Sequence, residues 1–220
     1  MSLPRTFDVR PVGFRTAPTR RLVQLLAGLA LYGFSMSLQI RATLGLDPWD
    51  VLHDALSRRT GLTFGTITAI TGAAVLLLWF PLRQRPGIGT VCNVLVIAVT
   101  VDAGLALLTT PDNLVGRILF LVGGVVLNGV ASAAYIGARL GPGPRDGLMT
   151  GLSGRTGWSI RIVRTAIEVT VLATGWLLGG TVGVGTVLYA VAIGPLVQAF
   201  LPLLAWRDRP ETGRHAVDLS

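Results

Sequence analysis

The sequence predicts an all-α, polytopic membrane protein, and three observations carry that prediction. Apolar residues make up 51% of the 220 and charged residues only 14%, against roughly 25% charge in an ordinary globular chain. Uncharged or nearly uncharged runs of about twenty residues recur, the length a helix needs to cross a bilayer. The arginines flank these runs instead of gathering into one patch, so a net charge of +8 reads as membrane topology and argues against nucleic acid. The apolar content excludes a disordered chain, and the long runs disfavour a soluble one.

In chain order the runs place six spans, at about Leu22 to Ile40, Leu62 to Leu82, Gly87 to Leu108, Ile118 to Ala138, Trp158 to Leu178 and Val182 to Trp206. Residues 21–109 hold the first three and residues 110–206 the second three, between tails at 1–20 and 207–220. With the N-terminal tail in the cytoplasm, Arg83, Arg85, Arg139, Arg145, Arg155, Arg207, Arg209 and Arg214 all fall on its side. Arg58 and Arg59 are the exceptions to a positive-inside distribution. Both termini are therefore expected to be cytoplasmic. The first twenty residues hold four arginines and no apolar core ahead of a cleavage site, so a cleaved signal is not expected. The single cysteine, Cys92, lies inside an apolar run, which leaves neither an intrachain disulfide nor a cysteine-based metal site.

A shift of 96 residues aligns GLDPWDVLHDALSRRTG (45–61) with GPGPRDGLMTGLSGRTG (141–157) without a gap, and brings Gly87-Ile88-Gly89-Thr90-Val91 onto Gly183-Val184-Gly185-Thr186-Val187. Similarity among apolar helices does not place Pro, Asp, Arg and Gly in register, so the chain is read as a duplication. Three spans per copy is an odd number, so the second copy enters from the opposite face, related to the first by a two-fold axis in the membrane plane. Each copy carries a short helix after its first span, at about Pro48 to Ser57 and Pro144 to Ser153. Asp47 suits the N-cap, Pro48 the first helical position and Asp50 the first turn. Such a helix either lies at the interface or dips between the spans as a re-entrant half-helix; the less charged second copy fits re-entry better.

Polar side chains inside the spans are the candidate site, because an ionisable group in hydrocarbon must face protein or water. Glu168 lies halfway along the fifth span with Arg164 one turn earlier, a spacing that also suits an intrahelical ion pair. Asp102 in the third span has no arginine within a turn and maps by the repeat onto Gln198 of the sixth; Tyr32 maps onto Asn128. A cavity lined by Asp102 is the expectation, with Asp50 and Asp146 at the starts of the short helices. Gly194 and Pro195 interrupt the sixth span beside Gln198. His53 reads as an exposed helix residue. The motifs His-Glu-x-x-His and Gly-x-Ser-x-Gly are absent, so no enzymatic activity, metal or cofactor is expected.

Six spans with Gly-Leu-Asp-Pro-Trp-Asp directly after the first (Gly45 to Asp50) and the echo Gly-Pro-Arg-Asp (Gly143 to Asp146) resemble the YczE-like family of bacterial integral membrane proteins, and more distantly YitT-type proteins. The resemblance implies a bacterial inner-membrane location. An association of such proteins with regulators resembling pyridoxal-phosphate enzymes implies amino-acid-like or vitamin-like solutes, and it supplies no catalytic residues. The expected function is a carrier for a small cationic or zwitterionic solute, with its site at the midplane between the copies. Asp102, Glu168, Asp50, Asp146, Gln198, Asn128, Tyr32 and Arg164 are the candidate contacts. A non-transporting membrane scaffold for an enzyme or regulator is the competing reading. The partners expected are the bilayer and the solute, with a homodimer compatible and nucleic acid not.

Overall fold

The computed structural model describes residues 17–206, all of whose regular structure is α-helical. Eight helices follow in order: α1 (Pro18–Ala42), α2 (Pro48–Thr60), α3 (Phe64–Trp79), α4 (Ile88–Leu107), α5 (Leu114–Gly137), α6 (Pro144–Thr156), α7 (Ile160–Leu177) and α8 (Val184–Leu204). Six of them fall on the apolar runs, and α2 and α6 are the short helices that the connections predict. α1 begins at Pro18, inside the stretch the sequence assigns to the tail; the rest of that tail and the C-terminal one lie outside the described residues.

Local chemistry sets the boundaries. Asp47 caps α2, its Oδ1 accepting from the backbone N–H of Trp49 at 2.8 Å and of Asp50 at 2.9 Å, with Pro48 at the first position. Gly61 and Gly157 end α2 and α6 with φ of 73° each, the left-handed conformation that glycine adopts without a side-chain penalty. Thr63, Asn113 and Ser159 cap α3, α5 and α7 through their side-chain oxygens.

The 96-residue offset recurs in the backbone. α1 and α5, α2 and α6, α3 and α7, and α4 and α8 each start 96 residues apart. The hydrogen bonds recur with them: Ser57 to the Leu62 carbonyl and Ser153 to the Trp158 carbonyl, Thr60 to Leu56 and Thr156 to Leu152. Two bonds cross between the halves reciprocally, Gly89 N–H to the Leu140 carbonyl at 3.0 Å and Gly185 N–H to the Leu44 carbonyl at 2.7 Å. At Gly45, where φ is +114°, a Cβ would stand 2.7 Å from the Gly183 nitrogen, so the turn before α2 can pass the start of α8 only as glycine.

α1 and α5 pack along each other at the centre, α4 lies against α1, and α8 lies against α5. A core of Leu25, Leu29, Met36, Phe64, Ile97, Val101 and Tyr135 fills the space where α1 meets α4 and α5, and Leu121, Val125, Tyr189 and Ile193 fill the α5–α8 contact. The short helices pack across the halves, α2 on α7 and α6 on α3. The chain is a multi-pass membrane protein: α1, α4, α5 and α8 are long and apolar enough to cross, and a fifth span results if α2 and α3, bent by 117°, are counted as one. α3, with 16 residues, is shorter than the other apolar helices, and α7 carries Arg161, Arg164 and Glu168.

Candidate functional site

The first turns of α2 and α6 meet in the interior, where a cavity of about 280 Å³ opens beside them. Its charged lining comes from Asp47 before α2, Arg145 and Asp146 of α6, and Arg164 and Glu168 of α7. Tyr32 of α1, Tyr135 of α5, Tyr189 and Gln198 of α8 and Asn93 of α4 complete the polar wall. All eight helices reach it, and the packing of α2 on α7 and of α6 on α3 draws both helix starts inward.

Arg145 is the centre of the charge arrangement. Its Nη1 lies 3.7 Å from Asp47 Oδ2 and its Nη2 3.7 Å from Asp50 Oδ1, with the guanidinium 4.9 Å over the Trp49 ring. Each approach exceeds hydrogen-bond length, so the pairing is coulombic. Asp50 is 1% exposed and also faces His53, whose Nδ1 is 3.1 Å from its Oδ1. Opposite, Asp146 Oδ2 accepts from the Tyr135 hydroxyl at 3.0 Å, and Tyr135 meets Tyr32 edge to face at 6.0 Å. Two buried atoms of lining residues, Trp49 Nε1 and His53 Nε2, have no hydrogen-bond partner. A buried polar atom in that condition costs about 1–3 kcal/mol unless something pairs with it.

Of the residues singled out from the sequence, Glu168, Asp146, Gln198, Tyr32 and Arg164 line the cavity, and Asp50 lies directly behind Arg145. Arg164 Nε and Glu168 Oε1 form the intrahelical pair at 2.9 Å that their spacing allows. Asn128 lies outside the lining, fully buried, donating to Ser35 Oγ at 2.8 Å and accepting from the Tyr189 hydroxyl at 3.0 Å. Asp102 does not reach the cavity either. It accepts from Thr63 Oγ1 at 2.6 Å and Gly65 N–H at 2.7 Å, at the start of α3, where the helix dipole and free N–H groups favour a carboxylate.

Besides the placing of Asp102 and Asn128 outside the cavity lining, two expectations need correction. His53 is 1% exposed and lines the cavity; it is not a surface residue, because α2 is packed on α7 and against α3. Arg145, counted among the topological arginines, points inward to Asp47 and Asp50. The signal that could have found it is the repeat itself, since Arg145 stands where the first copy has Trp49, beside paired aspartates.

A family model described as "Family of unknown function (DUF6198)" matches residues 19–202. An uncharacterized protein of Haemophilus influenzae is 40% identical over 86% of this chain and 87% of its own length. The uncharacterized membrane protein YczE of Bacillus subtilis is 38% identical over 80% of this chain and 83% of its own length. The uncharacterized protein YyaS of the same organism is 24% identical over 80% of this chain and 90% of its own length. No solved structure matches.

Proposed function

The chain belongs to the family of unknown function DUF6198 and is YczE-like, and from its cavity we propose that it is a membrane carrier for a small cationic or zwitterionic solute. The observation that carries this reading is the composition of the cavity wall. Asp47, Asp146 and Glu168 line it and Asp50 stands behind, against the guanidinium groups of Arg145 and Arg164. Carboxylates outnumber cations in a space set between membrane helices, and a cationic group or protons supply the difference. Arg145 keeps donors free for an anionic group, since its carboxylate neighbours stand at 3.7 Å, so a zwitterion fits as well. A volume of about 280 Å³ suits a compact, amino-acid-sized molecule, being just below the roughly 300–1,000 Å³ of drug-sized pockets.

The reading includes six spans, with α3 and α7 crossing as the shorter and more polar members, and α2 and α6 as half-helices between them. The reciprocal bonds Gly89 to Leu140 and Gly185 to Leu44 support a two-fold relation between the halves, and three spans in each half make the axis lie in the membrane plane. A bacterial inner membrane with both termini cytoplasmic completes it, with no catalytic activity and no cofactor.

Proteoliposome flux with a panel of amino acids, amines and quaternary ammonium compounds tests the proposal. Saturable flux of a cation or zwitterion is expected, reduced by Asp146→Asn and by Glu168→Gln. Flux absent for the whole panel, with the protein folded and correctly inserted, leaves the scaffold reading in its place.

A further inference from the structure

The two halves differ where α3 meets α4 and α7 meets α8. α3 packs along α4, whereas α7 and α8, their counterparts, make no comparable contact. The tight side is held by Asp102, which ties α4 to the Thr63 hydroxyl and the Gly65 N–H at the start of α3. Gly65 is pressed onto the Ala98 carbonyl, a contact that any side chain there would break. The offset of 96 replaces each part of this clasp on the other side: Asp102 by Gln198, Thr63 by Ser159, Gly65 by Arg161 and Ala98 by Gly194. There the parts stand apart. Ser159 accepts only from its own helix, at Ile162 N–H, and a Cβ added at Gly194 would meet nothing within 4 Å. The exposed charged and polar members of the cavity wall lie on this side, Arg164 on α7 and Gln198 on α8.

We propose that the cavity is entered between α7 and α8, and that Asp102 and Gln198 are repeat-related gate residues. Asp102 clasps the α3–α4 side shut while the Gln198 side stands open. The inference rests on the carrier reading for its purpose, since a carrier must expose one site to two sides in turn. The clasp is asymmetric in strength. A carboxylate accepting from a hydroxyl and a backbone N–H at a helix start makes charge-assisted bonds, whereas the amide of Gln198, were it brought to Ser159, would make neutral ones. Arg161 in the place of Gly65 also prevents the same close approach of backbones. The α7–α8 side is therefore the weaker gate and the one open at rest.

Cysteine reactivity in proteoliposomes, in a Cys92→Ser background, tests the gate without any knowledge of the solute. A small water-soluble methanethiosulfonate should modify Gly194→Cys quickly and Ala98→Cys, its 9% exposed counterpart, slowly. Adding Asp102→Asn removes the charge from the clasp and should raise reactivity at Ala98→Cys about tenfold, the equivalent of one charge-assisted bond weakened, with Gly194→Cys unchanged. A rise at both positions marks general loosening and overturns the proposal. Equal reactivity of the two cysteines in the parent, or no response to Asp102→Asn, overturns it too.

A staple separates this from the carrier reading. A Cβ at Gly72 would stand 3.8 Å from that of Val94, within disulfide reach. Oxidised Gly72→Cys/Val94→Cys should lose most flux and regain it on reduction. Flux that persists through the staple keeps the carrier and overturns the gate, whereas the labelling pattern without flux in any variant keeps the gate geometry and overturns the carrier.

Discussion

A guanidinium is a flat fork of five donors, and Arg145 uses its edges toward Asp47 and Asp50 and its face on Trp49. A lysine at that position keeps the charge and loses the plane. Arg145→Lys is therefore expected to lower solute flux about tenfold with a near-normal folded yield, since the stacked, two-pronged geometry cannot be reproduced by a point charge. Arg145→Met goes further and leaves two buried carboxylates without their cation. Thermal unfolding in detergent should show a loss of about 2 kcal/mol, below the usual cost of breaking a buried pair because the guanidinium is 26% exposed. Equal melting behaviour for the Lys and Met variants would remove Arg145 from the structural account. Neither Arg145 nor His53 was legible as a site residue in the sequence. An arginine between apolar runs has the same local pattern whether it faces cytoplasm or a partner helix. Only the meeting of the first turns of α2 and α6 supplies Asp47 and Asp50 as its neighbours. Glu168 and Arg164 were legible, because an ion pair at i,i+4 is a local matter.

Helix starts and ends were the most readable elements, for the reason that proline, glycine and capping side chains act within a few residues of themselves. Asp47, Pro48 and Gly61 delimit α2 as their chemistry requires. Asp47 has two roles there, cap and counter-ion, and substitutions divide them. Asp47→Asn keeps an oxygen for the Trp49 and Asp50 N–H groups and should leave stability nearly unchanged while altering solute affinity. Asp47→Ala removes the cap and should cost about 1–2 kcal/mol, read as a lower melting temperature. What the sequence did not reveal is which helix each short helix packs against. α6 takes the Trp79 ring of α3 in the space where Gly147 has no Cβ, and Trp79 donates its indole N–H to the Pro144 carbonyl at 3.0 Å. The reciprocal contact, Gly175 of α7 on Val51 and Leu52 of α2, has the small residue on the other partner. Exchanging large for small across a pair preserves the volume and erases the sequence match, so the repeat alignment gives no sign of it. Gly147→Ala forces a methyl into a buried ring that is 1% exposed, and a loss of about 2 kcal/mol is expected from overpacking. The same substitution at Gly154, where a Cβ meets open space, should cost nothing comparable.

At the scale of the whole molecule, the packing of each half's short helix on the other half leads to the expectation that neither half is self-sufficient. The halves do not sit side by side as two bundles. α2 of the first half packs on α7 of the second, α6 of the second on α3 of the first, and α1 lies along α5. The backbone bonds from Gly89 to Leu140 and from Gly185 to Leu44 close the exchange. A half alone thus leaves Asp47 and Asp50 without the Arg145 guanidinium, and the Pro144 carbonyl of α6 without the Trp79 indole. The connection between α4 and α5, around Pro111 and Asp112, is exposed or half-buried and tolerates a break on that ground. Residues 1–109 and 110–220, expressed as separate chains in one cell, should therefore copurify as a complex, while either expressed alone is degraded or aggregates. Gly45→Leu in the first chain gives the control. Its side chain would meet the Gly183 backbone and its φ of +114° is unsuited to leucine, so complex formation should fall sharply although each chain keeps its own spans. Two halves that are stable and monodisperse apart, or a complex indifferent to Gly45→Leu, would show that the exchange of short helices is not what joins them.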